Sequence, residues 1–322
     1  MIRRLAAVID IGASAMRLVI AENGAGGTWK RIDSAVKPVS LGRDVFRSGR
    51  ISRETGLRAI EILAGFRELL AGWDIPPEDT QVIATSAVRE AKNQAAFTGR
   101  VFTHTALRIH VLDEIEANRL TCLAVQHAVR GIRSAMQESD SLIIEAGAGT
   151  TNISILCRKK IENSYSFHFG ALRMGKYLDP DSGDYSHIEG DLGRMTDAKL
   201  NMNDPGGRFS RLKYFAAVGR PMRIAAEKAG TKIRENYALI SRKNFLDFAA
   251  GLQNRSADEC ARELQITYYE AEGLVPSLLI YKYFLEKTRA AKVLVPNVSI
   301  REGVLLNFAS GGAQSTGVGK KL

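Results

Sequence analysis

Short hydrophobic runs alternate with glycine-rich turns near the start of the chain. Residues 5–9 and 16–21 are rich in strand-forming side chains and flank the turn DIGASA, and a third run follows within GGTWKRIDSAVKPVSL. Branched and aromatic side chains between glycine-rich breaks are typical of β-strands. The pattern therefore predicts a β-meander in this part of the chain.

The hydrophobic period changes to that of a helix after the meander. In residues 52–73, Ser52 is suited to cap a helix N-terminus, and Ile60, Leu63 and Phe66 recur at helical spacing. A short strand at 82–84 then leads into a predicted helix that carries Arg89 and Asn93. The segment LRIHVLDEIEANRLTCLAVQHAV repeats this strand-to-helix step, so the predicted order is β-β-β-α-β-α.

The second half of the chain restarts the same pattern. Strands are predicted at 141–146, at 151–157 and around 161–169, and the helical segments PMRIAAEKAG and PSLLIYKYFLEKTRA follow. Because 322 residues exceed a typical single domain, the repeat predicts two related α/β domains, residues 1–122 and 123–310. The segment 179–207, rich in Asp, Gly and Ser, is predicted to be largely loop. Residues 311–322 are predicted to be a disordered tail.

Composition narrows the class of protein. No apolar run approaches the roughly 18–20 residues that would span a bilayer. The apolar start MIRRLAAVIDIG is short and contains Asp10, unlike a signal peptide, so a cytoplasmic protein with no membrane partner is expected. Three widely spaced cysteines predict neither a disulfide framework nor a zinc site.

The net charge of +10 favours an anionic ligand such as polyphosphate, a nucleotide or nucleic acid. Nucleic acid is disfavoured, because no basic run has interleaved aromatic residues. The sequence leaves the oligomeric state open and allows a homodimer.

Two strand-turn-strand units, AVIDIGASAMRLVIA and LIIEAGAGTTNISIL, hold the candidate chemistry. A carboxylate, Asp10 or Glu145, ends the first strand of each unit, and glycines in the turn let backbone N–H groups approach a ligand. One such unit alone also fits an ordinary β-hairpin. Two units in equivalent places of two similar halves predict a pair of phosphate-binding turns, a pattern that resembles the actin-like ATPase superfold.

Four further segments resemble the exopolyphosphatase/guanosine pentaphosphate phosphohydrolase (Ppx/GppA) family. They are VSLGRDVFRSGRIS (39–52), VIATSAVREAKN (82–93), FGALRMG (169–175) and VPNVSIREGVLLNFA (295–309). The resemblance covers about residues 5–309. It implies two ribonuclease H-like domains of the actin-like ATPase type, with an interdomain cleft that binds polyphosphate or a guanosine pentaphosphate (pppGpp-like) nucleotide.

The same resemblance implies roles for individual residues. When the chain is aligned on Ile109 and on Arg119–Leu120, the family's paired glutamates fall at Glu116 and Ala117, so Glu116 is the expected general base. Asp10 and Glu145 are expected near a magnesium ion. The expected phosphate-binding residues are Gly12, Ser14, Arg89, Asn93, Gly147, Gly149 and Thr150. Arg89 and Asn93, four residues apart, are expected on one helix face.

Both turns depart from the family pattern. Ala13 and Ala15 replace hydroxyl-bearing residues, which leaves Ser14 as the hydroxyl donor of the first turn. In the second turn, Glu145 is one methylene longer than the usual aspartate, Ala148 stands for a glycine and Asn152 for a glutamate. Ala148 would resist a positive φ if the turn required one.

Three functions stay open at this point. The first is a metal-dependent hydrolase that releases terminal phosphate from polyphosphate or guanosine pentaphosphate. The second is a catalytically weak or inactive phosphate- or nucleotide-binding sensor or regulatory protein, because the loss of several polar groups can abolish turnover and leave binding intact. The third is a kinase of the same superfold.

Overall fold

A computed structural model describes residues 4–24, 29–129, 140–158, 160–175, 185, 188–203, 207, 209–229 and 232–309. Two β-sheets organise these residues. The first has the strand order β3-β2-β1-β4-β5, and the second has the order β10-β11-β12-β9-β6-β7-β8. The strands are β1 Leu5–Ile11, β2 Ala15–Asn23, β3 Trp29–Pro38, β4 Thr80–Ala84, β5 His110–Val111, β6 Ser141–Ala146, β7 Thr151–Cys157, β8 Lys160–Phe167, β9 Tyr214–Val218, β10 Lys232–Ile233, β11 Tyr237–Ser241 and β12 Lys292–Pro296.

Helices cover the faces of both sheets. They are α1 Leu41–Ser48, α2 Arg53–Gly72, α3 Ser86–Glu90, α4 Gln94–Thr105, α5 Glu114–Ala128, α6 Ala171–Gly175, α7 Ile188–Asn203, α8 Arg220–Lys228, α9 Arg242–Leu252, α10 Ala257–Leu264, α11 Tyr268–Glu272, α12 Leu274–Glu286 and α13 Ile300–Ala309. Ser52 caps α2 as expected, its side chain accepting from the Thr55 N–H at 3.1 Å. None of the described helices is long and apolar enough to cross a membrane.

Five strands of each sheet share one topology, and β11 and β10 extend the second sheet further. In each, an antiparallel meander (β1-β2-β3 or β6-β7-β8) is extended by parallel strands on the other side of its first strand: β4 and β5, or β9 and β12. This repeat confirms the predicted α/β class with two related sheets. Asp10 pairs with Arg17 across the first hairpin, and Glu145 with Asn152 across the second.

Helices α5 and α13 join the two halves. The first half of α5 packs with the first sheet through Ala117 and Leu120, and its second half packs with the second sheet through Cys122 and Val125. Helix α13 follows the second sheet in the chain, but Val304 and its neighbours pack against β1 and α5. The division into residues 1–122 and 123–310 stays a prediction.

Two expectations about local structure are wrong. Arg89 and Asn93 do not share a helix, because α3 ends at Glu90 and Asn93 lies just before α4. The segment 179–207, expected to be largely loop, contains α7. Its Ile188, Leu192 and Thr196 recur every four residues and are buried, so packing against the second core, including α12, favours the helix. The predicted tail lies outside the described residues.

Candidate functional site

The turns of the two hairpins have the same backbone geometry. In the first, the Gly12 N–H donates to the Ala15 carbonyl at 3.1 Å, and in the second, the Gly147 N–H donates to the Thr150 carbonyl at 2.9 Å. Each carboxylate, Asp10 or Glu145, comes two residues before the first glycine of its turn. The duplicated geometry places both carboxylates at equivalent strand ends.

A glycine close to the start of a helix packs against each turn. The Gly42 N–H donates to the Ala13 carbonyl at 2.7 Å, and a Cβ on Gly42 would come within 2.7 Å of the Ala13 Cβ. A Cβ on Gly170 would come within 2.4 Å of the Gly147 carbonyl oxygen. Both contacts require glycine, because real Cβ atoms do not approach so closely. The segments VSLGRD and FGALR therefore hold α1 and α6 against the turns.

A cleft of about 450 Å³ runs between the turns and takes its lining from both halves of the chain. Most of the predicted site residues line it: Asp10, Gly12, Ser14, Arg89, Glu145, Gly147 and Thr150. The structure thus brings together residues that are more than 130 positions apart in the sequence. Gly149, Asn93 and Glu116 are not among the described residues that line the cleft.

Gly149 and Asn93 have other partners. A Cβ on Gly149 would lie 2.1 Å from the Phe46 ring, so this glycine allows α1 to pack on the second turn. The Asn93 side-chain amide donates to the Ile51 carbonyl at 2.8 Å and accepts from the Ile51 N–H at 2.9 Å. Asn93 therefore fixes the chain at the start of α2, and its expected contact with phosphate stays a prediction.

Glu116, the expected general base, has its contacts outside the described lining of the cleft, and its catalytic role stays a prediction. Asp113 caps α5, accepting from the Glu116 N–H at 2.8 Å, and the Glu116 carboxylate contacts His110 Nε2 at 3.1 Å. Successive helix residues point about 100° apart. The next residue, Ala117, is the one that lines the cleft.

The two cleft carboxylates have different partners. Asp10 Oδ2 lies 3.2 Å from Arg301 Nη1, and both side chains are largely buried. Glu145 Oε2 accepts from Thr121 Oγ1 at 3.0 Å. Burial raises the pKa of Glu145 and the charge of Asp10 adds to this, whereas the Thr121 hydrogen bond, Arg301 and Arg17 oppose it. A raised pKa favours the neutral acid.

The substituted turn residues are accommodated without strain. Ala148 is not among the described non-glycine residues with positive φ, so the second turn does not require glycine there. Asn152 Oδ1 accepts from Ser166 Oγ at 2.9 Å, and Asn118 Nδ2 lies 3.4 Å from the same hydroxyl. Ser14 Oγ is 3.0 Å from the Tyr269 hydroxyl, which also accepts from Arg17 Nη2 at 3.0 Å.

Arginines are the functional residues that sequence reasoning missed. Besides Arg89, the guanidinium-bearing residues that line the cleft are Arg17, Arg31, Arg220, Arg223 and Arg301. One signal in the sequence pointed to two of them. The strand β9 is parallel to β6 and ends at Val218, and residues just beyond the carboxyl ends of parallel strands commonly bind ligands. Arg220 and Arg223 lie two and five positions beyond that strand end.

Magnesium, expected at Asp10 and Glu145, does not fit these residues as a resident ion. Magnesium binds oxygen ligands in a near-octahedral arrangement, usually with one or two carboxylates. The Asp10 carboxylate already contacts the guanidinium of Arg301, and Glu145 is hydrogen-bonded to Thr121.

Comparison with known proteins gives consistent matches. A sequence profile of the Ppx/GppA phosphatase family matches residues 19–310. Exopolyphosphatase 1 of Mycobacterium leprae is 20% identical over 96% of this chain and 91% of its own length. The bifunctional 3-dehydroquinate synthase/phosphatase of Fusobacterium nucleatum is 26% identical over 53% of this chain, which covers only 26% of that protein.

A solved structure has the same fold. An exopolyphosphatase from Cytophaga hutchinsonii superposes with a TM-score of 0.85 at 21% identity, covering 96% of this chain and 98% of that one. The duplicated sheets, the paired turns and the profile match over most of the sequence lead to one conclusion. The chain belongs to the Ppx/GppA phosphatase family and has its two-domain, actin-like fold.

Proposed function

We propose that the cleft binds a phosphoanhydride chain, of the kind found in inorganic polyphosphate and guanosine pentaphosphate, and hydrolyses it slowly. The observation that carries this proposal is the set of six arginines that line the cleft from both halves of the chain. A guanidinium binds phosphate oxygens through a planar pair of donors. Several of them in one cleft suit a ligand with several phosphate groups.

The charge balance of the cleft supports an anionic ligand. The lining holds six arginines and four carboxylates, those of Asp10, Glu145, Glu270 and Glu272. Glu270 is paired with Arg220, and Glu272 with Arg43 on α1. Within the described residues, neither Arg17 nor Arg223 forms an ion pair with a carboxylate. The charges of these two arginines are therefore available to a phosphate chain.

Slow hydrolysis follows from the cleft face of α5. The family's glutamate pair falls at Glu116 and Ala117, and the member of the pair that lines the cleft is a methyl group. A positioned general base typically contributes about 10²–10⁴-fold to a hydrolytic rate. Water beside a terminal phosphoryl group would lack this base at position 117, so binding persists while turnover is lowered.

The test measures phosphate release and ligand binding on the same samples. Long-chain polyphosphate and guanosine pentaphosphate are incubated with the wild type, Glu116→Gln and Ala117→Glu, with and without magnesium. We expect slow release by the wild type, no more than about a twofold change in Glu116→Gln, and an increase of at least about tenfold in Ala117→Glu.

The outcomes separate the alternatives. Rapid release by the wild type that is lost in Glu116→Gln would establish Glu116 as the base and overturn slow turnover as proposed. Binding of neither ligand by the wild type, measured by calorimetry, would overturn the phosphate-chain proposal. The two ligands are compared directly, because the chain they share does not distinguish between them.

A further inference from the structure

Three arginines of the second half of the chain lie together in the cleft: Arg220 and Arg223 near the start of α8, and Arg301 in the first turn of α13. Arg220 is neutralised by two carboxylates, with Nε 2.7 Å from Glu270 and Nη1 2.9 Å from Glu227. The other two are neutralised less completely, and they are the basis of the inference.

Arg301 and Arg223 keep unused hydrogen-bonding capacity. Arg301 contacts Asp10 through Nη1, but its Nε is buried and has no hydrogen-bond partner in the described part of the chain. Arg223 Nη1 donates to the Val298 carbonyl at a long 3.4 Å. The buried Arg301 N–H without a partner is costly, so its retention beside the cleft indicates that an anionic ligand stabilises this guanidinium when it binds.

A structural arginine elsewhere in the same chain shows the contrast. Arg242 Nη1 lies within hydrogen-bonding distance of the carbonyl oxygens of Leu285, Thr288 and Ala290, at 3.0, 3.0 and 3.3 Å. That guanidinium ties the end of α12 to the start of α9. Arg223 makes one long contact with a carbonyl, and among the described residues it does not join two elements as Arg242 does.

The electrostatic environment points the same way. Burial lowers the pKa of Arg223 to about 10. The positive charges of Arg301 and Arg220 also lower this pKa, and the negative charge of Glu302 raises it. The fold thus keeps cations close together at a cost in stability. An anion between them would remove that cost, because it interacts favourably with each of them.

We propose that Arg223 and Arg301 form a subsite that binds one phosphoryl group of the chain directly, so that ligand binding requires no magnesium ion. The inference rests on the proposed function and names the part of the cleft that neutralises the phosphate charge. The guanidinium of Arg301 contacts Asp10 and so supplies the positive charge that a magnesium ion was expected to supply there. The guanidinium groups of Arg223 and Arg301 supply the donors to the phosphate oxygens.

The test is calorimetric titration with inorganic tripolyphosphate in EDTA, repeated with magnesium. The variants are Arg223→Met, which keeps the apolar stem, and Arg255→Met, which removes an equal charge from an exposed site paired with Glu259 and Glu263. A charge-assisted hydrogen bond contributes about 1.5–3 kcal/mol, so we expect Arg223→Met to weaken binding at least about tenfold. Arg255→Met should bind within about twofold of the wild type, and magnesium should not strengthen binding.

The melting temperatures of the variants without ligand are a second, independent measurement. We expect Arg223→Met to melt at or above the wild-type temperature, because it removes a buried like charge, and to lose most of the stabilisation by tripolyphosphate. A lower melting temperature, or an unfolded variant, would show that Arg223 is structural and would overturn the subsite. Arg223→Lys, which keeps the charge but not the planar donors, should bind with intermediate affinity.

The failures can be told apart. Wild-type binding that is unchanged in Arg223→Met overturns the subsite alone, and so does wild-type binding that requires magnesium. No wild-type binding of tripolyphosphate in either buffer overturns the proposed function, and the subsite with it.

Discussion

Glu145 lies at the end of β6, and burial raises its pKa more than its polar neighbours lower it. A carboxyl group whose pKa is higher in the folded than in the unfolded state destabilises the folded protein at a pH where it is ionised in both states. It has no such effect at a pH low enough to protonate both states. The destabilisation is therefore present above the folded pKa and absent below the unfolded one.

We expect Glu145→Gln to raise the melting temperature at pH 8 and to change it little at pH 4. The amide keeps an acceptor for Thr121 Oγ1 and cannot ionise, and each unit of pKa shift corresponds to ~1.4 kcal/mol. Differential scanning calorimetry across this pH range measures the effect. Glu68→Gln on the exposed face of α2 is the matched control and should show no such pH dependence. An equal effect of Glu145→Gln at both pH values would contradict the electrostatic explanation.

At the scale of elements, the crossing of α5 and α13 depends on one glycine. A Cβ on Gly303 would lie 2.1 Å from the Leu120 carbonyl oxygen and 2.7 Å from its carbon. Both atoms belong to the backbone of α5, which cannot rotate away as a side chain can. The absence of a side chain at position 303 therefore sets how closely α13 approaches α5 and the first sheet.

Gly303→Ala should destabilise the protein by about 1–3 kcal/mol or more, because helix axes must move apart to admit the methyl group. Gly65→Ala is the control, since Gly65 lies inside α2 and a methyl group there would have nothing within 4 Å. That change should stabilise by about 0.5–1 kcal/mol, as alanine is the better helix former. Urea unfolding measures both, and equal midpoints for the two variants would refute the close-packing argument.

The elements were predictable where the signal is local. The meander strands, the Ser52 cap and the repeated hairpins follow from apolar runs and glycine breaks. The break between α3 and α4 has no Gly or Pro to mark it and is fixed instead by the contact of Asn93 with Ile51. Helix α7 was not predicted, because its few buried residues are four positions apart and lie among many polar ones.

The site was predictable to a smaller extent. The turns and their carboxylates were found because they recur in both halves. Glu116 and Ala117 are adjacent, and the register of α5, which Asp113 caps and which packs on both sheets, places Ala117 at the cleft. The arginines reach the cleft from separate strands and helices, and their convergence depends on tertiary contacts that no short sequence window contains.

At the scale of the whole molecule, two groups of contacts hold the halves together across the cleft. On one side, the Tyr269 hydroxyl on α11 contacts Ser14 and Arg17 of the first hairpin, and Glu272 pairs with Arg43. On the other side, Arg173 on α6 pairs with Glu90 of α3. Because these contacts join different sheets, they favour the closed arrangement in which both turns face the same cleft.

Arg173 carries most of the second group of contacts. Its guanidinium lies 4.1 Å from the centre of the Phe46 ring, its Nε donates to the Gly149 carbonyl at 2.7 Å, and it pairs with Glu90. A partly desolvated cation–π contact contributes about 0.5–2 kcal/mol, and a hydrogen bond from a charged donor contributes about 1.5–3 kcal/mol. Removing the side chain should therefore shift the molecule towards an open arrangement without unfolding either sheet.

Arg173→Ala should raise hydrogen–deuterium exchange of the turn at 147–150 and of α1 by about tenfold or more, since local opening free energies set exchange rates. Strands β1 and β6 should exchange as in the wild type. Arg194→Ala, which removes an exposed ion pair with Asp191 within α7, is the control and should leave all of these rates unchanged. Tripolyphosphate should restore protection in Arg173→Ala, because a ligand held by arginines of both halves favours closure. Unchanged exchange in the turn would show that closure does not depend on Arg173.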